Sequence, residues 1–256
     1  KDLDKLQEAE ISTRKAIELN PDFATAHFNL GNTLRDLGKL QEAEISYQKA
    51  IELNPDFGQA YFNLSLIELL QGNYQSGLEN YEFRFKKKDP VLVHSNPSIK
   101  RVNNEKLHKG EKLLVISEQG LGDTIQFMRY LPYLRKLGLD VSFSAQQKLH
   151  TLIQASGIAT NPLTPEQANL VSNGKWIPLL SLPRYLKVRP QNPIITDPYI
   201  HSTKENNQKW KSILSKEERP IIGINWQGNP SAEKNNLKGR SLPLETFSNI
   251  VGNNNF

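Results

Sequence analysis

Six consecutive residues, Glu118-Gln119-Gly120-Leu121-Gly122-Asp123, are the best placed in this chain to do chemistry. They follow a short apolar run, Lys112-Leu-Leu-Val-Ile-Ser117, and precede a stretch in which Ile125, Phe127, Met128, Leu131 and Leu134 recur at helical spacing. A continuous apolar run between polar residues predicts a strand buried on both faces of a parallel sheet. The order is then strand, glycine loop, helix, in which glycines let the backbone approach a ligand and the helix N-terminus offers N–H groups to an anion. An acid at the carboxyl end of a central strand lies in the ligand crevice of an open α/β sheet, where it can take a proton from a hydroxyl. Asp123 is that acid. An aspartate in a first helical turn also stabilises the helix by about 0.5–2 kcal/mol without any chemistry, and position alone leaves both roles open.

Several other chemistries are excluded or weakened. The chain has no cysteine, so it has no disulfide, thiolate metal site or cysteine nucleophile. The loop is not a full dinucleotide fingerprint, because Ile125 stands at the third glycine position, and no Gly-Lys-Ser/Thr follows to bind ATP phosphates. His27, His94, His108, His150 and His201 form no pair at metal-ligand spacing, and Asp2-Leu3-Asp4, the one D-x-D, belongs to repeated sequence. No metal site is expected.

Composition is that of an ordinary folded protein, with 37% hydrophobic and 23% charged residues. No apolar run approaches the roughly 20 residues of a membrane span, and the first residues do not read as a signal peptide, so a cytoplasmic location is expected. Residues 1–88 carry 11 basic and 14 acidic side chains, the remainder 21 and 13. The basic part favours anionic partners, but it lacks a dense basic run with interleaved aromatics, which points to a phosphorylated small molecule and away from nucleic acid.

The elements that must position these residues begin with a repeat. Lys-Leu-Gln-Glu-Ala-Glu-Ile-Ser at residues 5–12 recurs at 39–46, and Ile-Glu-Leu-Asn-Pro-Asp-Phe at 17–23 recurs at 51–57, each displaced by 34 residues. Within one period, Leu30-Gly31, Gly38, Ala43, Tyr47, Ala50 and Pro55 resemble the tetratricopeptide repeat, a pair of antiparallel helices. A third copy keeps Tyr61, Leu64, Gly72 and Tyr81 but has Ser65 and Gly77 where the pattern has glycine and alanine. Its aromatic end, Tyr81-Glu82-Phe83-Arg84-Phe85, is expected to dock on the next domain. The resemblance implies protein or peptide binding. Both chain ends read as cut, with more repeats expected before Lys1.

Residues 89–111 read as a linker. Beyond them strands are expected near Asp140–Ala145, Ile158–Asn161 and Trp176–Leu180, with helices between, giving a Rossmann-like half over residues 112–219. Thr164-Pro165-Glu166-Gln167 and Ser202-Thr-Lys-Glu205 read as capping boxes. Ile221-Ile-Gly-Ile-Asn225-Trp226 then opens a second α/β unit over 220–256. The expected fold class is thus all-α repeats followed by an α/β Rossmann-like domain.

Taken with Glu118–Asp123, the segments Leu179–Leu182, Asn225–Asn229 and Arg240–Pro243 resemble bacterial tetratricopeptide proteins joined to ADP-heptose:lipopolysaccharide heptosyltransferases, glycosyltransferase family 9. That resemblance implies a GT-B fold, two Rossmann-like halves across a cleft, and transfer from a nucleotide-diphosphate sugar to a glycan or protein acceptor without a metal or other cofactor. It implies Asp123 as general base, and substrate contacts at Gln119, Gly120, Gly122, Thr124, Asn225, Gly228, Asn229 and Arg240, with Arg240 near the donor phosphates. It also implies that most of the donor-binding half lies beyond Phe256, so that this stretch alone is inactive. Two other readings stay open: a non-catalytic scaffold with a degenerate transferase-like domain, and a protein O-glycosyltransferase.

Overall fold

The computed structural model describes residues 3–194, 197–218 and 221. The chain divides into two compact units, Lys1–His201 and Ser202–Phe256.

The first unit opens with five helices: α1 (Leu3–Leu19), α2 (Ala24–Asp36), α3 (Leu40–Leu53), α4 (Gly58–Leu70) and α5 (Tyr74–Tyr81). The 34-residue period sets where they stop. After α2, Gly38 adopts φ +78°, with Gly38 N–H donating to the Arg35 carbonyl and Lys39 N–H to that of Leu34. This is a Schellman closure, which needs a left-handed residue that glycine supplies without steric cost. One repeat later Gly72 (φ +85°) and Asn73 close α4 in the same way. Leu30, Leu34, Ala43, Tyr47, Leu64 and Ile67 form the repeat core. Gly31 and Ala43 pack there as expected, a Cβ on Gly31 falling 2.6 Å from the Tyr47 ring. The Tyr47 hydroxyl donates to Asn32 Oδ1 at 2.8 Å, and Asn63 Nδ2 donates to the same oxygen at 2.7 Å.

Two glycines of the third copy, Gly58 and Gly77, have steric reasons. At the position of Ala24, the third copy has Gly58, whose added Cβ would lie 2.6 Å from the Lys86 carbonyl oxygen. Chain leaving α5 therefore crosses the start of α4 too closely for any side chain. Gly77, in the place of Ala43, lies under Leu69, whose Cγ would be 2.9 Å from an added Cβ.

A short 3-10 turn, Glu82–Phe85, ends the repeats, and a four-stranded parallel sheet comes after it. Its strands are β1 (Lys100–Arg101), β2 (Lys112–Ile116), β3 (Asp140–Ser144) and β4 (Lys175–Pro178), in the spatial order β1-β4-β2-β3. In β2, Leu113 and Val115 point into the larger core with Phe143, Ile177 and Leu134, while Leu114 and Ile116 pack on Ala168 on the other face. Both faces are covered, the condition that produces a continuous apolar run.

Between the strands lie α6 (Leu121–Phe127), α7 (Leu131–Lys136), α8 (His150–Ala155) and α9 (Pro165–Asn169); α10 (Leu182–Tyr185) follows β4. The single helix expected from Ile125 to Lys136 is broken at Met128–Tyr130, because Pro132 has no N–H to give the Met128 carbonyl. The strand expected at Ile158–Asn161 is absent. Ile158 instead closes α8: Gly157 takes φ +66° and Ile158 N–H donates to the Ile153 carbonyl, so its apolar side chain is the hydrophobic partner of a helix end. Pairing with β3 falls to Leu163, whose N–H donates to Phe143 O at 2.8 Å. Thr164 caps α9 as expected.

In the second unit α11 (Lys204–Leu214) is capped by Thr203, not Ser202, with Thr203 Oγ1 accepting from Asn206 N–H at 3.1 Å. The expected strand through Asn225, the loop Gln227–Pro230 and Arg240 lie outside the described residues, apart from Ile221. No helix among the described residues is long and apolar enough to cross a membrane.

Candidate functional site

The glycine loop leaves β2 at the carboxyl edge of the sheet. Ser117 extends the strand by donating to Ser144 O at 2.9 Å. Gln119 then takes φ +60°, a left-handed conformation that is uncommon for a residue with a Cβ. Gly120 returns to extended backbone and becomes the N-cap of α6. Its N–H donates to Asp123 Oδ2 at 2.9 Å, and Oδ1 has no hydrogen-bond partner among the described residues. Thr124 is buried and donates through Oγ1 to Gln146 Oε1 at 2.8 Å, while Gln146 Nε2 reaches Gln119 O at 3.3 Å. Gln146 therefore ties the loop after β2 to the end of β3. Gly120 and Gly122 are exposed, and a Cβ on Gly122 would meet nothing within 4 Å.

The structure thus brings Gln119, Gly120, Gly122, Asp123 and Thr124 together on one loop. Asn225, Gly228, Asn229 and Arg240 lie outside the described residues. His94 reaches the same edge from the segment before the sheet, with Nδ1 2.8 Å from Ser117 Oγ. Burial holds its pKa below the usual histidine value. Among the described residues no group of three His, Asp or Glu side chains could hold a metal ion.

Glu118, the first residue of the loop motif, faces inward. Both its carboxylate oxygens are taken by Arg84 from the end of the repeats: Nε donates to Oε2 at 3.0 Å and Nη2 to Oε1 at 2.9 Å. Leu180 N–H donates to Oε1 at 3.1 Å. Arg84 also donates to Ser181 Oγ at 2.8 Å and to Glu82 Oε1 at 2.7 Å. Arg84 and Glu118 are both 0% exposed. The guanidinium is flanked by the Tyr81 and Phe85 rings, 4.7 and 4.1 Å from their centroids. Burial acts to raise the Glu82 pKa, but Arg84, Ser181 and Arg184 around it outweigh that and hold the carboxyl below its ordinary value. The aromatic end of the third repeat therefore does dock on the α/β part. The sequence identifies the aromatics but not the pairing of Arg84 with Glu118, although the repeat register places Arg84 where the preceding copy has the buried Ala50.

Fold and contacts define a class: a helical-repeat protein whose last repeat is joined through buried polar groups to a parallel α/β layer. More particularly, residues 24–57 and 46–79 each match the tetratricopeptide repeat family, and these residues are tetratricopeptide repeats. No curated protein matches the chain. Among solved structures, a crystal structure of MamA is 28% identical over 31% of this chain and 47% of its own, with a TM-score of 0.30. The TPR2B domain of yeast Sti1 in complex with pHsp70 is 26% identical over 32% of this chain and 66% of its own, with a TM-score of 0.31. The chain thus spans about half of MamA and under two thirds of the Sti1 domain.

Proposed function

We propose that the chain belongs to a glycosyltransferase in which tetratricopeptide repeats take a protein or peptide partner and the loop Gly120–Asp123 serves sugar transfer. The observation that carries this reading is Asp123 on an exposed glycine loop at the carboxyl edge of a parallel sheet, with Oδ1 unbonded among the described residues. A carboxylate so placed takes the proton from an acceptor hydroxyl as its oxygen attacks the anomeric carbon and the nucleoside diphosphate leaves. The resemblance of the surrounding motifs to glycosyltransferase family 9 supplies the substrate class. In this reading the sheet is the Rossmann-like first half of a GT-B fold over residues 112–219, following repeats over 1–88 and a connector over 89–111 that adds the edge strand β1 (Lys100–Arg101) to it. Residues 220–256 begin the donor half, where Asn225, Gly228, Asn229 and Arg240 meet the nucleotide-diphosphate sugar; no metal or other cofactor enters the reaction.

The test is nucleotide-sugar turnover by the full-length protein. Asp123→Asn is expected to lower kcat by about 10²–10⁴-fold, the range of general-base catalysis, with donor binding retained. Unchanged transfer by this variant removes Asp123 from the role. A second reading, a non-catalytic scaffold, is favoured by the bond from Gly120 N–H to Asp123 Oδ2, which accounts for the aspartate as a helix cap. Failure of the full-length protein to bind any nucleotide sugar decides for it.

A further inference from the structure

In open α/β sheets the ligand crevice lies outside the carboxyl ends of two neighbouring strands at which the winding reverses. Here the chain passes from β2 to β3 on one side and returns to β4 on the other, so the reversal falls between β2 and β4. That place is already filled. Glu118 comes from the end of β2, Leu180 N–H and Ser181 Oγ come from the end of β4, and the Arg84 guanidinium bonds Glu118 and Ser181. Glu118, Arg84 and Ser181 are at most 1% exposed.

The next loop residue is held from the same side. Gln119 Nε2 donates to the Tyr81 hydroxyl at 2.9 Å, and Tyr81 lies three residues before Arg84. Gln119 is the residue with φ +60°, where glycine would be free of strain. Its backbone oxygen is bonded by Gln146 and its side chain by the repeat, so contacts from outside the loop hold it in that conformation. Two consecutive loop residues are therefore gripped by two side chains of the last repeat.

We propose that Tyr81 and Arg84 are positioning residues for the Gly120–Asp123 loop, with Arg84 plugging the crevice between β2 and β4 and so confining ligand contact to the β2–β3 side of the sheet edge. This rests on the loop being the site of sugar transfer. The last repeat is thus part of the wall of the site as well as the end of a binding array.

Tyr81→Phe tests it, because it removes one hydroxyl and keeps the ring. In the full-length protein, amide hydrogen exchange over residues 118–124 is expected to quicken about 5-fold, the loss of one ordinary hydrogen bond, and kcat to fall with the donor KM unchanged. Tyr47→Phe is the control: it loses a hydrogen bond to Asn32 inside the repeats and should move neither readout. Wild-type exchange over 118–124 in Tyr81→Phe, or equal effects of the two variants, overturns the proposal. If the wild type turns over no nucleotide sugar, the transfer reading fails, and the exchange comparison alone decides whether Tyr81 positions the loop.

Discussion

Arg84 stands at the repeat position that Ala50 fills one period earlier, and both are fully buried. The alanine lies in helix α3 within the repeats, whereas the arginine meets a carboxylate at the sheet edge. Removing one partner of a buried ion pair leaves the other charge uncompensated, at a cost of about 3–5 kcal/mol. Arg84→Ala is expected to lose that much in urea denaturation, and the pair Arg84→Met with Glu118→Leu to recover more than half, since apolar replacement of both partners is often neutral. Glu82 adds a pH dependence. Its folded-state pKa lies below the ordinary 4.5, so the stability it contributes is complete above that pH and is lost as pH falls through the lower folded value. The melting temperature of the wild type should therefore drop more steeply below about pH 4.5 than that of Glu82→Gln.

At the scale of elements, the third repeat shows how a local pattern yields to a long-range contact. Gly58→Ala places a methyl group against the Lys86 carbonyl and is expected to destabilise by about 1–3 kcal/mol, the usual cost of overpacking. Gly122→Ala, with open space around it, should be neutral or stabilising by up to about 1 kcal/mol through helix propensity; paired thermal melts separate the two. Elements whose signals are local are legible in the sequence: the 34-residue period, β2 from its apolar run, and the Thr164 cap. Ile158 misleads because an apolar residue that closes a helix looks, in sequence, like one that starts a strand. For the loop, residue types point to Gln119–Thr124. The left-handed Gln119 and its grip by Tyr81 are not legible, since they depend on a residue 38 positions away.

Across the whole molecule the repeats and the sheet fall within one compact unit, Lys1–His201, although their sequences suggest separate domains. The physical reason is the charged layer between them. Arg84 pairs with Glu118 and Ser181, and Glu82 with Arg101 and Ser181, only when both parts are present. Unfolding either part alone would expose the other's half of that layer and leave Glu118 without its counter-ion. Helix α5 and the sheet should therefore unfold together. With Trp210 and Trp226 replaced by phenylalanine, Trp176 in β4 reports on the sheet, while far-ultraviolet circular dichroism reports mainly on the repeats. The two signals are expected to give coincident urea transitions, the usual test of two-state behaviour. A repeat transition that precedes the Trp176 transition in the wild-type background would show that the layer does not couple the two parts. In Arg84→Ala, where the layer is broken, the two curves are expected to separate.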